Sequence, residues 1–339
     1  MTSHARPETL IVMGRETFES QFDARRIERL GHLATLGSPI WTADFDDDSL
    51  TERLASVEVL LTGWGAPQLT AARLDRMPKL RAMLHCAGTI RPQVTDAFWQ
   101  RGIRASSVAE ANSIPVAEFT LAAIIFAGKH VFRFRDLYVG DRNRDRTHPM
   151  QSEAIGNYRR TVGIIGASRI GRRVIDLLMP FDYQVLLFDP TVDPDQARAM
   201  GTRKVELDDL LRQSDIVSIH APSLPSTRHM IDAAKLVLMK DGATLINTAR
   251  GVLIDEDALL DVLKTGRIDA IIDVTDPEIP GPESAFYDLP NVFLTPHIAG
   301  AVGLERTRLG EMAADEAERF IQGEPLLYGL TLESLENIA

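Results

Sequence analysis

The sequence predicts an α/β protein built around parallel sheets. From Thr9 onward, short apolar runs alternate with amphipathic helical segments, which is typical of βα units. In the second half of the chain the apolar runs are uninterrupted, as in strands that helices cover on both faces of a sheet. With 339 residues, 45% of them hydrophobic and 25% charged, the chain suits two domains of ordinary size. We therefore expect two doubly wound parallel-sheet domains.

The first predicted unit covers residues 9 to about 107. A helix is expected from Glu16 to about Leu36, because its apolar residues recur at helical spacing. Thr70 and Thr95 are typical N-caps for the helices that follow. The predicted strands are Leu10–Met13, Val57–Thr62 and Leu80–His85.

Two loops of this first unit are candidates for substrate contact. The turn Ala87-Gly88-Thr89 follows a strand, and its exposed amides could hold a carboxylate; a plain turn fits equally well. Trp64 stands between two glycines in another loop after a strand. It either narrows a pocket or is a partly buried surface aromatic, and the sequence leaves both alternatives open.

A long apolar helix is predicted next, reaching about Lys129. Ser113 as N-cap and Pro115 in the first turn indicate its start. Residues 129–146 then mix arginines with aspartates, which disfavours a phosphate-binding patch. We expect an exposed arm there, either solvated or in contact with another subunit.

The strand Val162–Ile165 runs through a glycine turn into a helix that continues to about Phe181. The turn reads Gly166-x-Ser168-x-x-Gly171, which matches the dinucleotide fingerprint G-x-G-x-x-G except at its second glycine. An ordinary strand-to-helix turn is the alternative. Asp189 ends the next strand, 189 − 171 = 18 residues after the last glycine. That is close to the ~20 at which an acid meets the ribose 2′-hydroxyl of NAD, so NAD is expected over NADP.

Polar residues end each of the later predicted strands. Ligands of open parallel sheets bind at the carboxyl ends of the strands, so these residues are expected to gather beside the nucleotide turn. A last helix, about Leu304 to Gln322, is expected to return to the first unit. The strands are Asp215–His220, Ala243–Asn247, Asp269–Val274 and Asn291–Thr295, and the polar residues at their ends are His220, Thr248, Arg250, Asp273 and His297, with Glu278 beyond Asp273.

Four of these residues suit hydride transfer to a 2-oxo acid. Arg250 can bind a carboxylate through two parallel hydrogen bonds and stays charged. His297 can protonate the carbonyl oxygen, because histidine titrates near working pH. Glu278 is expected to hold the imidazole ring, and Asp273 to bond the nicotinamide carboxamide.

Composition argues against several other classes of protein. A formal net charge of −11 disfavours general nucleic-acid binding, and no zinc-ligand spacing is present. The single Cys86 cannot form an internal disulfide. Residues 1–7 lack the apolar core of a signal peptide, and the longest apolar run, Phe119–Ala127, is shorter than the ~20 residues of a membrane helix. No metal, no membrane and a reducing cytoplasm are therefore expected.

Together these motifs resemble the D-isomer-specific 2-hydroxyacid dehydrogenases, the family that includes phosphoglycerate dehydrogenases and glyoxylate/hydroxypyruvate reductases. The resemblance covers nearly the whole chain and is carried by five segments. They are Val162–Gly171, His220–Arg228, Asn247–Gly251, Asp273–Glu278 and Pro296–Gly300.

The resemblance implies a Rossmann dinucleotide-binding domain, residues 111–300, inserted into a flavodoxin-like substrate domain, residues 1–110 and 301–339. It also implies that Arg250 binds the substrate carboxylate, that Glu278 and His297 form the acid/base pair, and that the chain is a homodimer through the nucleotide domain. Ala87, Gly88, Thr89 and Trp64 are the further expected substrate contacts. The expected cofactor contacts are Gly166, Ser168, Arg169, Ile170, Gly171, Asp189, His220, Pro222, Thr227, Thr248, Ala249, Asp273 and Gly300.

Three residues depart from the family pattern: Ser168 at the second glycine, Ile279 where proline usually follows the glutamate, and Trp64 where a smaller polar residue is usual. The expected activity is NAD-dependent interconversion of a 2-oxo acid and a D-2-hydroxy acid. The alternative from another class is a binding protein that senses NAD(H) and turns over little. A formate dehydrogenase-like function is disfavoured, since those relatives pair the histidine with glutamine rather than with a residue such as Glu278.

Overall fold

The structure, a computed structural model, describes residues 6–336. The prediction that residues 1–7 hold no signal peptide falls mostly on residues 1–5, which lie outside the described residues. The chain forms two compact units. One runs to Asn112 and resumes at Ala301, and the other is Ser113–Gly300.

Within the described range the chain forms thirteen strands and fifteen α-helices. The strands are β1 Thr9–Val12, β2 Trp41–Thr42, β3 Val59–Thr62, β4 Ala82–His85, β5 Arg104–Ser107, β6 Thr161–Ile165, β7 Gln184–Phe188, β8 Arg203–Lys204, β9 Ile216–Ile219, β10 Thr244–Asn247, β11 Asp269–Ile272, β12 Val292–Leu294 and β13 Gly329–Leu330. The helices are α1 Arg15–Gln21, α2 Ala24–Leu33, α3 Thr51–Ser56, α4 Ala71–Asp75, α5 Asp96–Gln100, α6 Ala109–Gly128, α7 Val131–Asp141, α8 Thr147–Met150, α9 Arg169–Leu178, α10 Pro194–Ala199, α11 Leu207–Gln213, α12 Ala233–Leu238, α13 Glu256–Lys264, α14 Arg306–Ile321 and α15 Leu332–Glu336.

The first unit holds a six-stranded sheet in the order β13-β5-β4-β3-β1-β2. Five strands are parallel, and Thr62 at the end of β3 pairs with His85 at the end of β4. The two-residue β13 is antiparallel to β5, so this otherwise parallel sheet has one antiparallel edge, which is common in doubly wound folds. A strand of two residues has no periodicity to detect, and neither β13 nor the polar strand β5 was predicted.

The second unit holds a seven-stranded, wholly parallel sheet in the order β12-β11-β10-β9-β6-β7-β8. Successive residues of β10 pack on opposite faces of the sheet. Leu245 belongs to one apolar cluster and Ile246 to another. This two-sided burial confirms the doubly wound prediction. The strand order reverses at β6, whose neighbours are β7 and β9, so the turn after β6 lies at the topological switch point of the sheet.

Two predicted helix starts need correction. The single helix expected from Glu16 is two helices, because Asp23 accepts a hydrogen bond from Arg26 N at 2.9 Å and caps α2. Helix α6 begins at Ala109, not after Ser113, which lies inside it. The hydroxyl of Ser107 accepts the N–H of Ala109 at 3.2 Å and so occupies the capping role predicted for Ser113.

The two predicted threonine caps differ. Thr70 accepts a hydrogen bond from Arg73 N at 3.4 Å and caps α4 as expected. Thr95 precedes α5 but makes no capping bond; its hydroxyl donates to Leu69 O at 2.8 Å instead. Thr95 therefore ties α5 to the preceding loop.

Helix α6 is longer and more apolar than the run of nine residues suggested. By length and composition it is the one helix in the described part of the chain that could cross a membrane, and 56% of its apolar window is buried inside the protein, as in a core helix. The segment after it is exposed as predicted, since α7 has no buried residue. Tyr138 and Val139 on α7 are each more than half exposed.

Candidate active site

The glycine turn after β6 is closely packed. Gly166 has a φ of 97°, and a Cβ added to it would lie 2.7 Å from Ala221 N. A Cβ on Gly171 would lie 2.0 Å from Gly166 O. Neither position can take a side chain without displacing backbone, so both glycines are required by the turn itself.

Ser168, at the position of the missing glycine, is the N-cap of α9. Its hydroxyl accepts the N–H of Gly171 at 3.3 Å. The φ of Ser168 is −63°, which any residue adopts, so no glycine is needed there. Where the fingerprint has a glycine that lets the backbone lie close to the pyrophosphate, this chain has a serine whose side chain caps α9.

Removing this cap is expected to destabilise the protein. Ser168→Ala loses the hydroxyl and should cost about 1 kcal/mol, whereas Ser168→Gly should cost only a few tenths of that. Urea unfolding followed by circular dichroism measures both. Ser168→Thr, which keeps the hydroxyl, is the control and should restore most of the loss; equal stability of Ser168→Ala and the wild type would contradict the capping role.

Asp189 ends β7 and holds the glycine turn in place. Its Oδ2 accepts Ala167 N at 2.7 Å, and its Oδ1 accepts Thr191 N at 2.8 Å and Thr191 Oγ1 at 2.6 Å. Burial raises the pKa of Asp189, but these hydrogen bonds and the charge of Arg172 outweigh burial and hold it below its ordinary value. Asp189 is therefore ionised at neutral pH beside the glycine turn.

Several predicted cofactor contacts have side chains that already serve the protein itself. The ring of His220 is 3% exposed, its Nε2 lies 2.9 Å from Ser218 Oγ, and burial lowers its pKa to about 3. The ring lies in the core behind the glycine turn and its buried Nδ1 has no hydrogen-bond partner within residues 6–336, so the prediction that His220 contacts a cofactor stays a prediction. The hydroxyl of Thr248 pairs with Thr120 Oγ1 at 3.0 Å, and that of Thr227 donates to Pro222 O at 2.6 Å.

Arg250 follows β10 in a turn shaped by two neighbours. Asn247 accepts Ala249 N at 3.0 Å and donates to Arg250 O at 2.9 Å, which fixes the backbone of the turn. A Cβ on Gly251 would lie 2.1 Å from the carbonyl carbon of Thr275, so only glycine permits this contact between the loops after β10 and β11. Desolvation lowers the pKa of the Arg250 guanidinium and the nearby Glu278 carboxylate raises it.

Asp273 after β11 organises the loop that carries His297. Its Oδ1 accepts Thr295 Oγ1 at 2.6 Å and Ile298 N at 2.9 Å, and its Oδ2 accepts Ala299 N at 3.0 Å. The residue is 1% exposed. Three of the roughly four acceptor positions of its carboxylate are thus used, and the prediction that Asp273 bonds the nicotinamide carboxamide stays a prediction for the position that remains.

His297 and Glu278 are brought together, as predicted. Nδ1 of His297 is hydrogen-bonded to Oε1 of Glu278, and both side chains are exposed. His297 has a φ of 53°, a left-handed conformation fixed by its N–H bonding to Asp273 O at 2.9 Å. With Nδ1 held by a carboxylate, Nε2 is the nitrogen free to exchange a proton with a ligand.

Glu256, at the start of α13, supports the loop that carries Glu278 and was missed by the sequence analysis. Its Oε1 accepts the N–H of Asp276 at 2.8 Å. Thr275 reinforces the loop by donating to Glu278 O at 3.0 Å. An acidic residue in the first turn of a helix is common, so the sequence alone gives no signal of this contact. By contrast, the spacing Asn247-x-x-Arg250 could have indicated the support of Arg250.

We expect Glu256 to make stability depend on pH. Burial raises its pKa to about 7, helped by the charges of Asp276 and Asp257 and opposed by the Asp276 N–H. Between its ordinary value of 4.5 and 7 the native protein keeps a proton that the unfolded chain has released, so stability falls as pH rises through this window. Glu256→Gln imitates the neutral form and should remove that loss.

Above pH 7 the free energy of unfolding of Glu256→Gln should exceed that of the wild type by about 1 kcal/mol, after allowing for solvent screening of the partly buried side chain. This corresponds to an increase of about 2–4 °C in Tm. Differential scanning calorimetry at several pH values measures it. Asp261→Asn on the exposed face of the same helix is the control. A variant equally stabilised at pH 4.5 and pH 8 would contradict the assignment.

The first unit presents its own loops at the carboxyl edge of its sheet. Ala87-Gly88-Thr89 follows β4, and Ser107 Oγ donates to Ala87 O at 3.0 Å, which fixes the turn. A Cβ on Gly88 would meet no atom within 4 Å, so space lies beside it. The preceding His85 is buried, its Nδ1 lies 2.9 Å from Thr62 Oγ1, and burial lowers its pKa to about 4. Trp64 follows β3 on the same edge and is 36% exposed.

No group of three or more potential metal ligands occurs among residues 6–336. The second unit thus brings three candidate features to the ends of strands in one parallel sheet: the glycine turn after β6, the Arg250 guanidinium after β10, and the pair of Glu278 and His297 after β11 and β12. The two loops predicted to contact a substrate belong to the other unit.

Comparison with known proteins places these features in a family. Residues 121–299 match the family model described as "D-isomer specific 2-hydroxyacid dehydrogenase, NAD binding domain". A glyoxylate reductase of Korarchaeum cryptofilum is 34% identical over 278 residues, which cover 81% of this chain and 83% of that protein. A D-3-phosphoglycerate dehydrogenase of Methanocaldococcus jannaschii is 29% identical over 280 residues, 82% of this chain and 52% of that protein.

The chain spans about half the length of the phosphoglycerate dehydrogenases that it matches. Among solved structures, a D-lactate dehydrogenase from Aquifex aeolicus, complexed with NAD and lactic acid, has a TM-score of 0.71 and 26% sequence identity. The match covers 94% of this chain and 96% of that one. The likeness therefore extends over both units.

Proposed function

The chain belongs to the D-isomer specific 2-hydroxyacid dehydrogenase family, and on this premise we propose that it is an NAD-dependent oxidoreductase that interconverts a 2-oxo acid and a D-2-hydroxy acid. The observation that carries the proposal is the hydrogen bond between His297 Nδ1 and Glu278, in the unit that also holds the glycine turn. A protein that only sensed NAD(H) would not need this acid/base pair, so the structure does not favour that alternative.

The turn after β6 fits a dinucleotide. Gly166 and Gly171 have no room for side chains, so the backbone at the start of α9 stays bare, and the first N–H groups of a helix have no partner within it. Asp189 lies beside this turn with three of its roughly four acceptor positions used, which leaves one for a ribose hydroxyl. We propose that the cofactor contacts are Gly166, Ser168, Arg169, Ile170, Gly171, Asp189, His220, Pro222, Thr227, Thr248, Ala249, Asp273 and Gly300.

The chemistry follows from three side chains. The nicotinamide of NADH, when bound, supplies the hydride. Arg250 binds the substrate carboxylate through two charge-assisted hydrogen bonds, which fixes the carbonyl carbon for attack. Nε2 of His297 donates a proton to the carbonyl oxygen as negative charge develops there, and the Glu278 carboxylate orients the ring and stabilises the imidazolium. In the oxidation direction His297 takes the hydroxyl proton.

We assign the remaining substrate contacts to the first unit. Ala87, Gly88 and Thr89 form a turn whose backbone N–H groups can donate hydrogen bonds to a carboxylate, and open space lies beside Gly88. Trp64 faces the substrate's side chain. Which 2-oxo acid is used depends on this side of the site.

Asp189 is expected to make NADH the preferred cofactor over NADPH, because a carboxylate repels the 2′-phosphate. Asp189→Asn should lower the ratio of kcat/KM for NADH to that for NADPH by at least tenfold. The ratio is the appropriate measure because Asp189→Asn also removes an acceptor oxygen for Ala167 N and so lowers the stability of the protein. That loss affects the activity with NADH and with NADPH alike, so it cancels in the ratio. Asp195→Asn, which is exposed nearby, should leave the ratio unchanged; a wild type that prefers NADPH would contradict the assignment.

The activity itself is tested by NADH oxidation with glyoxylate, hydroxypyruvate, pyruvate, phenylpyruvate and larger 2-oxo acids. Turnover of at least one of them well above a His297→Ala control supports the proposal. Tight NADH binding with no turnover of any of them would refute it.

We also propose that the chain works as a homodimer in a reducing cytoplasm and that it binds neither nucleic acid nor a membrane. The exposed helix α7, with Tyr138 and Val139 more than half exposed, supplies an apolar surface within the nucleotide domain for a second copy. Sedimentation equilibrium of the wild type and of Tyr138→Asp tests this assignment. A monomeric wild type would overturn it.

A further inference from the structure

The loop that carries Trp64 has a backbone held on several sides. Gly14 N donates to Trp64 O at 2.8 Å, and Ala66 N donates to Gly63 O at 3.0 Å. Gly65 has a φ of 83° and packs so closely that an added Cβ would lie 2.8 Å from Gly14 N. The backbone is therefore fixed, and the direction of the indole ring depends on what touches the ring.

The ring is covered by an arginine from a distant part of the sequence. The guanidinium carbon of Arg306, the first residue of α14, lies 5.7 Å from the centroid of the Trp64 ring, which is cation–π distance. The side chain of Arg306 is 25% exposed, so the contact is partly shielded from water.

Two hydrogen bonds fix the guanidinium itself. Nε of Arg306 donates to Ala301 O at 3.3 Å, and Nη1 donates to Glu16 Oε1 at 2.9 Å. The side chain of Glu16 is 86% exposed, so this ion pair contributes little to stability on its own. Together these bonds hold the guanidinium over the indole ring.

Trp64 also stands in register with the proposed substrate turn. Thr62 and His85 are paired across β3 and β4, and Trp64 and Ala87 each lie two residues further along. Adjacent parallel strands therefore deliver the indole and the proposed carboxylate-binding turn to the same edge of the sheet.

We propose that Arg306 is a positioning residue that fixes the Trp64 ring as a wall of the substrate site, and that this wall restricts the enzyme to 2-oxo acids with short side chains. This inference rests on the proposed function. Tryptophan is the largest side chain, and the contact with Arg306 on one face of the ring makes it less favourable for the ring to swing aside for a bulky substrate. Arg306 does not touch the reacting atoms; it acts through Trp64.

The test is a double-mutant cycle read as a specificity ratio. The ratio is kcat/KM for 4-methyl-2-oxopentanoate divided by kcat/KM for pyruvate, measured with NADH in excess. The wild type should favour pyruvate. Arg306→Met, which keeps the length of the side chain and loses its charge, should raise the ratio roughly three- to tenfold, the range that a contact of cation–π strength can supply.

The second arm removes the wall. Trp64→Leu should raise the ratio further, and Arg306→Met should then change it no more than twofold in the Trp64→Leu background, because the ring on which Arg306 acts is gone. Arg306→Lys, which can still sit over the ring, should restore much of the wild-type ratio. Arg308→Met, at an exposed position of the same helix, is the control and should leave the ratio unchanged.

The outcomes separate the two proposals. If no 2-oxo acid is turned over by the wild type, the proposed function fails. If pyruvate is reduced but Arg306→Met leaves the ratio unchanged, or shifts it equally with and without Trp64, the positioning role is overturned. A wild type that prefers the branched substrate overturns the short-chain specificity. The Tm of each variant distinguishes a change of specificity from partial unfolding.

Discussion

Replacing His297 by asparagine is expected to lower kcat by about 10²–10⁴-fold, the usual contribution of a positioned general acid. Asparagine tolerates the left-handed backbone of this position, where φ is 53°, so the loop should keep its shape. The KM for NADH should change little, because no cofactor contact is assigned to the ring. Single-turnover measurements of NADH oxidation separate the chemical step from product release.

His229 offers a matched control. It is exposed, lies in the same unit and has a φ of 50°, so His229→Asn makes the same chemical change in the same backbone conformation. Its activity should stay within about twofold of the wild type. A loss in His297→Asn of less than tenfold, or an equal loss in both variants, would contradict the role of His297 as proton donor.

The parts of this site that could be read from sequence are those with a local signature. Gly166 and Gly171 mark a strand-to-helix turn, and Arg250, Glu278 and His297 follow apolar runs that are recognisable strands. Since parallel strands place their carboxyl ends at one edge, residues far apart in sequence were expected at one place, and the structure joins His297 to Glu278 there.

What could not be read is the direction in which each polar side chain points. Asp273 and His220 follow their strands as His297 does, yet both are buried, whereas His297 is exposed. A strand residue points to one face or the other according to pleat and twist, and at the last residue of a strand the sequence pattern no longer determines which. The support of Asp276 by Glu256 is likewise a contact between distant segments without a motif.

Arg250→Gln is the second large effect that we expect. It should lower kcat/KM for a 2-oxo acid by about 10²–10⁴-fold, mainly through KM, because two hydrogen bonds from a charged group are lost at roughly 1.5–3 kcal/mol each. The turn should survive the change, since Asn247 holds it through the backbone of Ala249 and Arg250. Arg250→Lys keeps the charge without the two parallel donors and should lose at least tenfold.

The decisive comparison uses a substrate without a carboxylate. Hydroxyacetone differs from hydroxypyruvate only in carrying a methyl group in place of the carboxylate. Arg250→Gln should therefore leave its weak reduction nearly unaffected, while the rate of hydroxypyruvate reduction should fall steeply. Arg198→Gln, on the exposed face of α10, is the control and should change neither rate. A parallel fall for both substrates would mean that Arg250 supports the structure or the Glu278 carboxylate beside it. A fall for hydroxypyruvate alone would assign the carboxylate of the substrate to this guanidinium, and with it the orientation in which the carbonyl meets His297.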